Sequence, residues 1–148
     1  MAAAKKILKL DNFAIQDDFF SEVALIGIAS NRPVYSLCNI LNRSFRLSFC
    51  RQPGMDVKIG KQEEVFSFPV YLHKPAHSEY RYIFYKLKTD NVQLLPSLKN
   101  MDFIWMVSSE EPEETAMDYL QALKHMPEIQ FASLLELDRI KNIEYLIL

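Results

Sequence analysis

Glycine is scarce in this chain, with three residues in 148. That excludes the glycine-rich loops that wrap phosphates, and neither G-x-x-x-x-G-K nor G-x-G-x-x-G occurs. Cysteine is scarcer still. Cys38 falls on the apolar face of an expected helix and Cys50 ends an expected strand, so both are read as buried free thiols, not a disulfide or redox pair. There is no G-x-S-x-G, and Cys38 is not placed at a helix N-terminus, where its thiolate would be favoured. Nucleophilic catalysis therefore has no signature, and an enzyme is not the leading expectation. No apolar run approaches the ~20 residues that span a bilayer. The N-terminal stretch has no long apolar core before Asp11 and is not read as a signal peptide, so a cytoplasmic protein is expected. Charge of one sign is also lacking. A net charge of −2 and a pI near 5.9 give no general attraction to DNA or acidic membranes, and neither is an expected partner.

Apolar residues make up 49% and charged residues 24%, an ordinary globular balance. At this length one domain over residues 1–148 is expected, burying roughly 70% of its unfolded surface. The most apolar strand candidate is Phe103-Ile104-Trp105-Met106-Val107, an unbroken run that predicts burial on both faces. Pro96 precedes it at a turn or an edge, and Asp102 stands at its entrance. A bare buried carboxylate is too costly there. Asp102 is therefore expected to be solvated or to cap the turn on backbone donors, with a small-ligand site as the alternative.

Leu95-Pro96-Ser97-Leu98-Lys99-Asn100-Met101-Asp102-Phe103 resembles the signature of the bacterial IPExxxVDY family of small proteins. Pro96 and Asp102 match, while Leu95, Met101 and Phe103 are conservative replacements. The likeness extends over much of the chain, including the run Leu25–Ser30 and the helix pattern near it. Ser97 replaces the family's Glu, and Phe103 replaces its Tyr. With two polar groups lost, the resemblance implies a structural motif and no Glu/Asp chemistry.

Along the chain, Lys5–Leu10 and Val23–Ala29 are strand candidates, with residues 11–18 a loop between them. Gly27 would let a helix or neighbouring backbone come close. Ser30-Asn31-Arg32-Pro33 starts a helix whose stripe is Val34, Leu37, Cys38 and Leu41. Phe45, Leu47 and Phe49 alternate as a strand ending at Cys50. Val65–His73 and Tyr80–Lys88 predict a long hairpin, with Phe66, Phe68, Val70 and Leu72 on one face of its first arm. A second helix is expected with Glu110, Glu111, Glu113 and Glu114 crowding its first turn around Pro112 and Lys124 and His125 in its last, both ends suited to the helix dipole, and with Ala116, Leu120 and Leu123 as its stripe. Ile129–Leu134 is a further strand, Asp138–Asn142 a short helix, and Tyr145–Leu148 a docked tail. Strand–helix–strand thus occurs twice. The expected class is α+β: a mainly antiparallel sheet, two principal helices on one face, loosely ferredoxin-like, with two βαβ-like halves around an inserted hairpin.

His73 and His77 are four apart, but Pro75 lies between them in a turn and Glu79 is the only nearby carboxylate, so neither a metal site nor any other cofactor is expected. The candidate binding residues are Tyr71, Tyr80, Arg81, Tyr82 and Lys86, all in the hairpin. Such aromatics and cations on an exposed face suit a protein partner or a homodimer, and alternatively RNA, through stacking and phosphate contacts. The leading expectation is a non-enzymatic protein-interaction or regulatory module.

Overall fold

The computed structural model describes residues 14–61 and 63–148. The strand expected over residues 5–10 lies outside them. Residues 14–19 are helical where a loop is expected. Phe19 and Phe20, consecutive at the C-terminal end of this segment, are half-buried and pack against an apolar core of the main sheet.

The described residues form ten strands: β1 (Val23–Ala29), β2 (Cys50–Arg51), β3 (Val57–Lys61), β4 (Glu64–Phe68), β5 (Val70–His73), β6 (Tyr82–Lys86), β7 (Lys88–Thr89), β8 (Val92–Gln93), β9 (Phe103–Ser108) and β10 (Phe131–Leu135). The two longer helices are α1 (Val34–Phe45) and α2 (Pro112–Leu123). Six strands form one sheet in the order β10-β1-β9-β6-β5-β2, every neighbouring pair antiparallel. The class is α+β, as expected. β9 and β10 run parallel with β1 between them and α2 connecting them, which is one split βαβ half.

The other half differs from the sequence reading. β6 takes the place beside β9, so the inserted hairpin itself supplies a central strand. The expected strand Phe45–Cys50 shrinks to the two-residue β2 at the far edge. α1 runs on to Phe45 and stops at Arg46, whose φ of 55° is left-handed. Phe49 then finds a side chain instead of a strand: its N–H donates to Asn42 Oδ1 at 2.8 Å and its C=O accepts from Asn42 Nδ2 at 3.2 Å.

The hairpin is also shorter than expected. Pro69 interrupts its first arm, and residues 64–68 turn away to pair with β3 in a separate two-stranded sheet. β5 and β6 alone form the hairpin, with Val70 opposite Tyr85 and His73 opposite Tyr82.

The unbroken apolar runs are explained by two cores, one on each face of the sheet. On one, Ala24, Ile26, Trp105 and Val107 meet Leu37, Cys38 and Leu41 of α1 and Ala116, Leu120 and Leu123 of α2, so both helices share a face. On the other, Leu25, Ile104, Met106 and Tyr85 meet Phe68, Leu94 and Leu95 and the tail residues Ile140, Ile143 and Leu146. The face turned from the helices is thus covered by short hairpins and irregular chain, burying strands that would otherwise alternate. The expected 138–142 helix resolves into two 3-10 turns, Leu137–Arg139 and Ile143–Leu146. The tail is docked as expected, with the Tyr85 hydroxyl donating to the Leu146 carbonyl at 2.6 Å. Gly27 admits side chains where backbone was expected: a Cβ there would lie 3.0 Å from Leu135 and 3.1 Å from Met101 Sδ. Among the described residues no helix is long and apolar enough to cross a membrane.

Candidate functional site

Asp102 precedes β9 and ties three adjacent strands together. Its N–H donates to Ile28 O at 2.8 Å, at the end of β1, and its carbonyl accepts from Leu87 N at 2.9 Å, just past β6. Its carboxylate continues the knot. Oδ2 accepts from the Ser30 N–H at 2.9 Å and Oδ1 from Lys88 Nζ at 3.0 Å. Ser30, itself buried, donates its hydroxyl to Glu128 O at 2.6 Å. The carboxylate thus closes the β1–α1 corner on one backbone N–H and one lysine, instead of capping the turn that feeds β9 as expected. Around it the motif residues are placed by packing. Pro96 opens a 3-10 turn, Pro96–Leu98, with Ser97 exposed on it. Gln93 Nε2 donates to Leu98 O at 2.9 Å, holding that turn. Phe103 is buried with its ring 5.3 Å from that of Phe84.

The five hairpin candidates do not form one open face. Tyr82 is buried on the helix side, within 5.7 Å of the Tyr119 ring and 6.1 Å of Trp105. Burial pushes the Tyr119 hydroxyl well up, helped by its bond to Tyr82. Tyr71 is half-buried in the same core, with Arg51 6.0 Å from its ring centroid. Arg51 in turn forms a two-bonded pair with Asp56. Tyr80 and Arg81 precede β6 rather than lying in it. Tyr80 donates its hydroxyl to Glu22 at 2.9 Å, and that bond raises its pKa. Arg81 lies 5.8 Å over the Phe19 ring. Lys86 is half-buried at the end of β6. The alternation of the strand sends successive residues to opposite faces, and each face meets a core.

The histidines separate as well. His73 ends β5, and its Nδ1 accepts from the Ser48 N–H at 3.0 Å. Desolvation lowers its pKa. His77 sits in the turn with φ 57°. The cysteines also part from expectation: Cys38 is buried, its thiol pushed up to about 12 by desolvation, while Cys50 is exposed because β2 is an edge strand. At the start of α2, Glu114 is held above the usual carboxylate range by a hydrogen bond with Glu111. Among the described residues no three or more His, Cys, Asp or Glu side chains converge in a way that would hold a metal ion.

Sequence reasoning missed the outer edge of the sheet. Among the described residues β10 has one neighbour, β1. Its sequence, Phe-Ala-Ser-Leu-Leu, holds no charge and no proline, and Phe131 is 55% exposed. Two grooves flank it. One of about 430 Å³ runs along Ile129–Ser133 with Lys124 beside it, and one of about 520 Å³ runs along residues 134–138 with Glu113 beside it. The signal was present as an apolar, uncharged strand, but which strand ends a sheet is a property of topology. No family model, curated protein or solved structure matches the chain.

Proposed function

We infer that this chain is a non-enzymatic interaction or regulatory module acting through protein contacts in the cytoplasm. The observation that carries the reading is the β10 edge, where an uncharged strand with an exposed aromatic ends the sheet. Edges are normally blunted by lysine, proline, bulges or a covering element, because unpaired ladder groups template further pairing. An edge that no described residue pairs with, beside grooves, suits β-augmentation, in which main-chain bonds give affinity and alternate side chains fill pockets. Two free thiols, one of them exposed, accord with a reducing compartment. The likeness to the IPExxxVDY family remains a proposal resting on Pro96 and Asp102, and the work of Asp102 in joining strands accords with a structural motif.

RNA binding through Tyr71, Tyr80, Arg81, Tyr82 and Lys86 has less support, because Tyr71 and Tyr82 are packed into the helix-side core and the Tyr80 hydroxyl is bonded to Glu22. A ligand at Asp102 also has less, because both carboxylate oxygens are engaged. Amide hydrogen exchange separates these readings. Protection that rises with protein concentration over residues 131–135 is the expected result. Protection of residues 80–86 on adding RNA, with β10 unchanged, would overturn it.

A further inference from the structure

Resting on that interaction reading, we propose that the occupant of the β10 edge is β10 of a second copy, paired antiparallel about a twofold axis through Ser133. In any antiparallel edge strand, alternate residues turn their N–H and C=O groups outward, so a second identical strand can complete the ladder. The side-chain pattern is self-complementary in this register. Phe131 faces Leu135 of the second copy, Ala132 faces Leu134, and Ser133 faces itself. Ala132 and Leu134 already belong to the helix-side core, and Leu135 to the other, so the pairing extends both cores across the axis.

The charges favour a second copy as the partner. The groove beside Ile129–Ser133 has Lys124 as its charged lining residue. The groove at the other end is lined by Glu113, Glu136 and Asp138, of which Glu136 is bonded to Arg139 at 2.7 Å. A twofold brings the Lys124 end of each copy against the acidic end of the other. Glu128 of one copy would lie near Asp138 of the other; this like-charge pair falls outside the five paired residues. The interface is isologous and closes at two copies, giving one twelve-stranded sheet from two six-stranded ones.

The register makes a sharp test possible. Facing side chains across an antiparallel pair have Cβ atoms ~4.5–5.5 Å apart, near disulfide reach. Two copies of residue 131 would be offset by four residues, roughly 14 Å along the strands. The full chain carrying Cys50→Ser, with Cys38 left buried, is compared with and without Ser133→Cys or Phe131→Cys under mild oxidation, alongside its solution mass. The expected result is a covalent dimer for Ser133→Cys, little for Phe131→Cys, and loss of the Ser133→Cys product when Phe131→Lys is added. A dimer by mass in which residue 133 does not cross-link would overturn this pairing while leaving the interaction reading in place. A monomer at every concentration would overturn the second copy as occupant.

Discussion

At the scale of single residues, Asp102 shows how a carboxylate that looks catalytic can be architectural. It meets two donors, one a backbone N–H in the corner after β1, the other the half-exposed Lys88. Removing an acceptor from a part-buried backbone donor costs about 1–3 kcal/mol, whereas a screened, exposed ion pair contributes about 0–1 kcal/mol. Urea denaturation should therefore find Asp102→Ala destabilised by about 1–3 kcal/mol and Lys88→Met by less than about 1. Equal losses would place the weight on the ion pair. The thiols differ in the same physical way. Cys50 is exposed, whereas Cys38 is desolvated with its pKa near 12. In the native protein at neutral pH, one equivalent of a thiol reagent should be consumed quickly and mass mapping should find it on Cys50. Rapid labelling of Cys38 would mean that α1 opens.

Elements are where the sequence reading succeeded and failed for identifiable reasons. Val23–Ala29 and Phe103–Val107 were legible as doubly buried strands because no polar residue interrupts either run. The α1 and α2 stripes were legible because three or four apolar residues recur at helical spacing and meet one core. Phe45–Phe49 misled because its alternation is real, yet Asn42 supplies the partners that Phe49 would have sought in a sheet. The hairpin's first arm misled because the face shared by Phe66, Phe68, Val70 and Leu72 survives the Pro69 break: all four still contribute to the same core, from two different sheets. Exposure of the hairpin aromatics could not be read, since it depends on what covers each face.

His73 yields a prediction at this scale, because it joins β5 to the loop before β2. Its Nδ1 accepts a backbone bond, and its folded pKa lies below its ordinary 6.5. The unfolded chain therefore binds the proton more readily. The stability that goes with the neutral ring is complete above about 6.5 and is lost as pH falls through the folded pKa. Between pH 7.5 and 5, the drop in denaturation midpoint should be smaller in His73→Gln than in the parent. An unchanged drop would assign the acid sensitivity elsewhere.

On the scale of the whole molecule, a three-layer arrangement leaves few strand faces uncovered and puts the unsatisfied chemistry at the sheet's ends. The β2 end is short, only two residues, whereas the β10 end is longer and apolar. The tail closes the layer opposite the helices through the Tyr85–Leu146 bond, whose donor is fully buried. Tyr85→Phe should cost about 1–2 kcal/mol by leaving that carbonyl without its donor, and should raise amide exchange in residues 143–148 while β9 stays protected. Uniform loss of protection would show instead that the tail folds as one unit with the sheet.

Pairing through β10 is tested most directly by solution mass, measured by light scattering over a wide range of concentrations, with and without total cellular RNA. The expected mass rises from 17.3 kDa toward twice that value with concentration, indifferent to RNA. A chain that stays at 17.3 kDa throughout, and gains mass only on RNA at low salt, would contradict it and return the function to the hairpin.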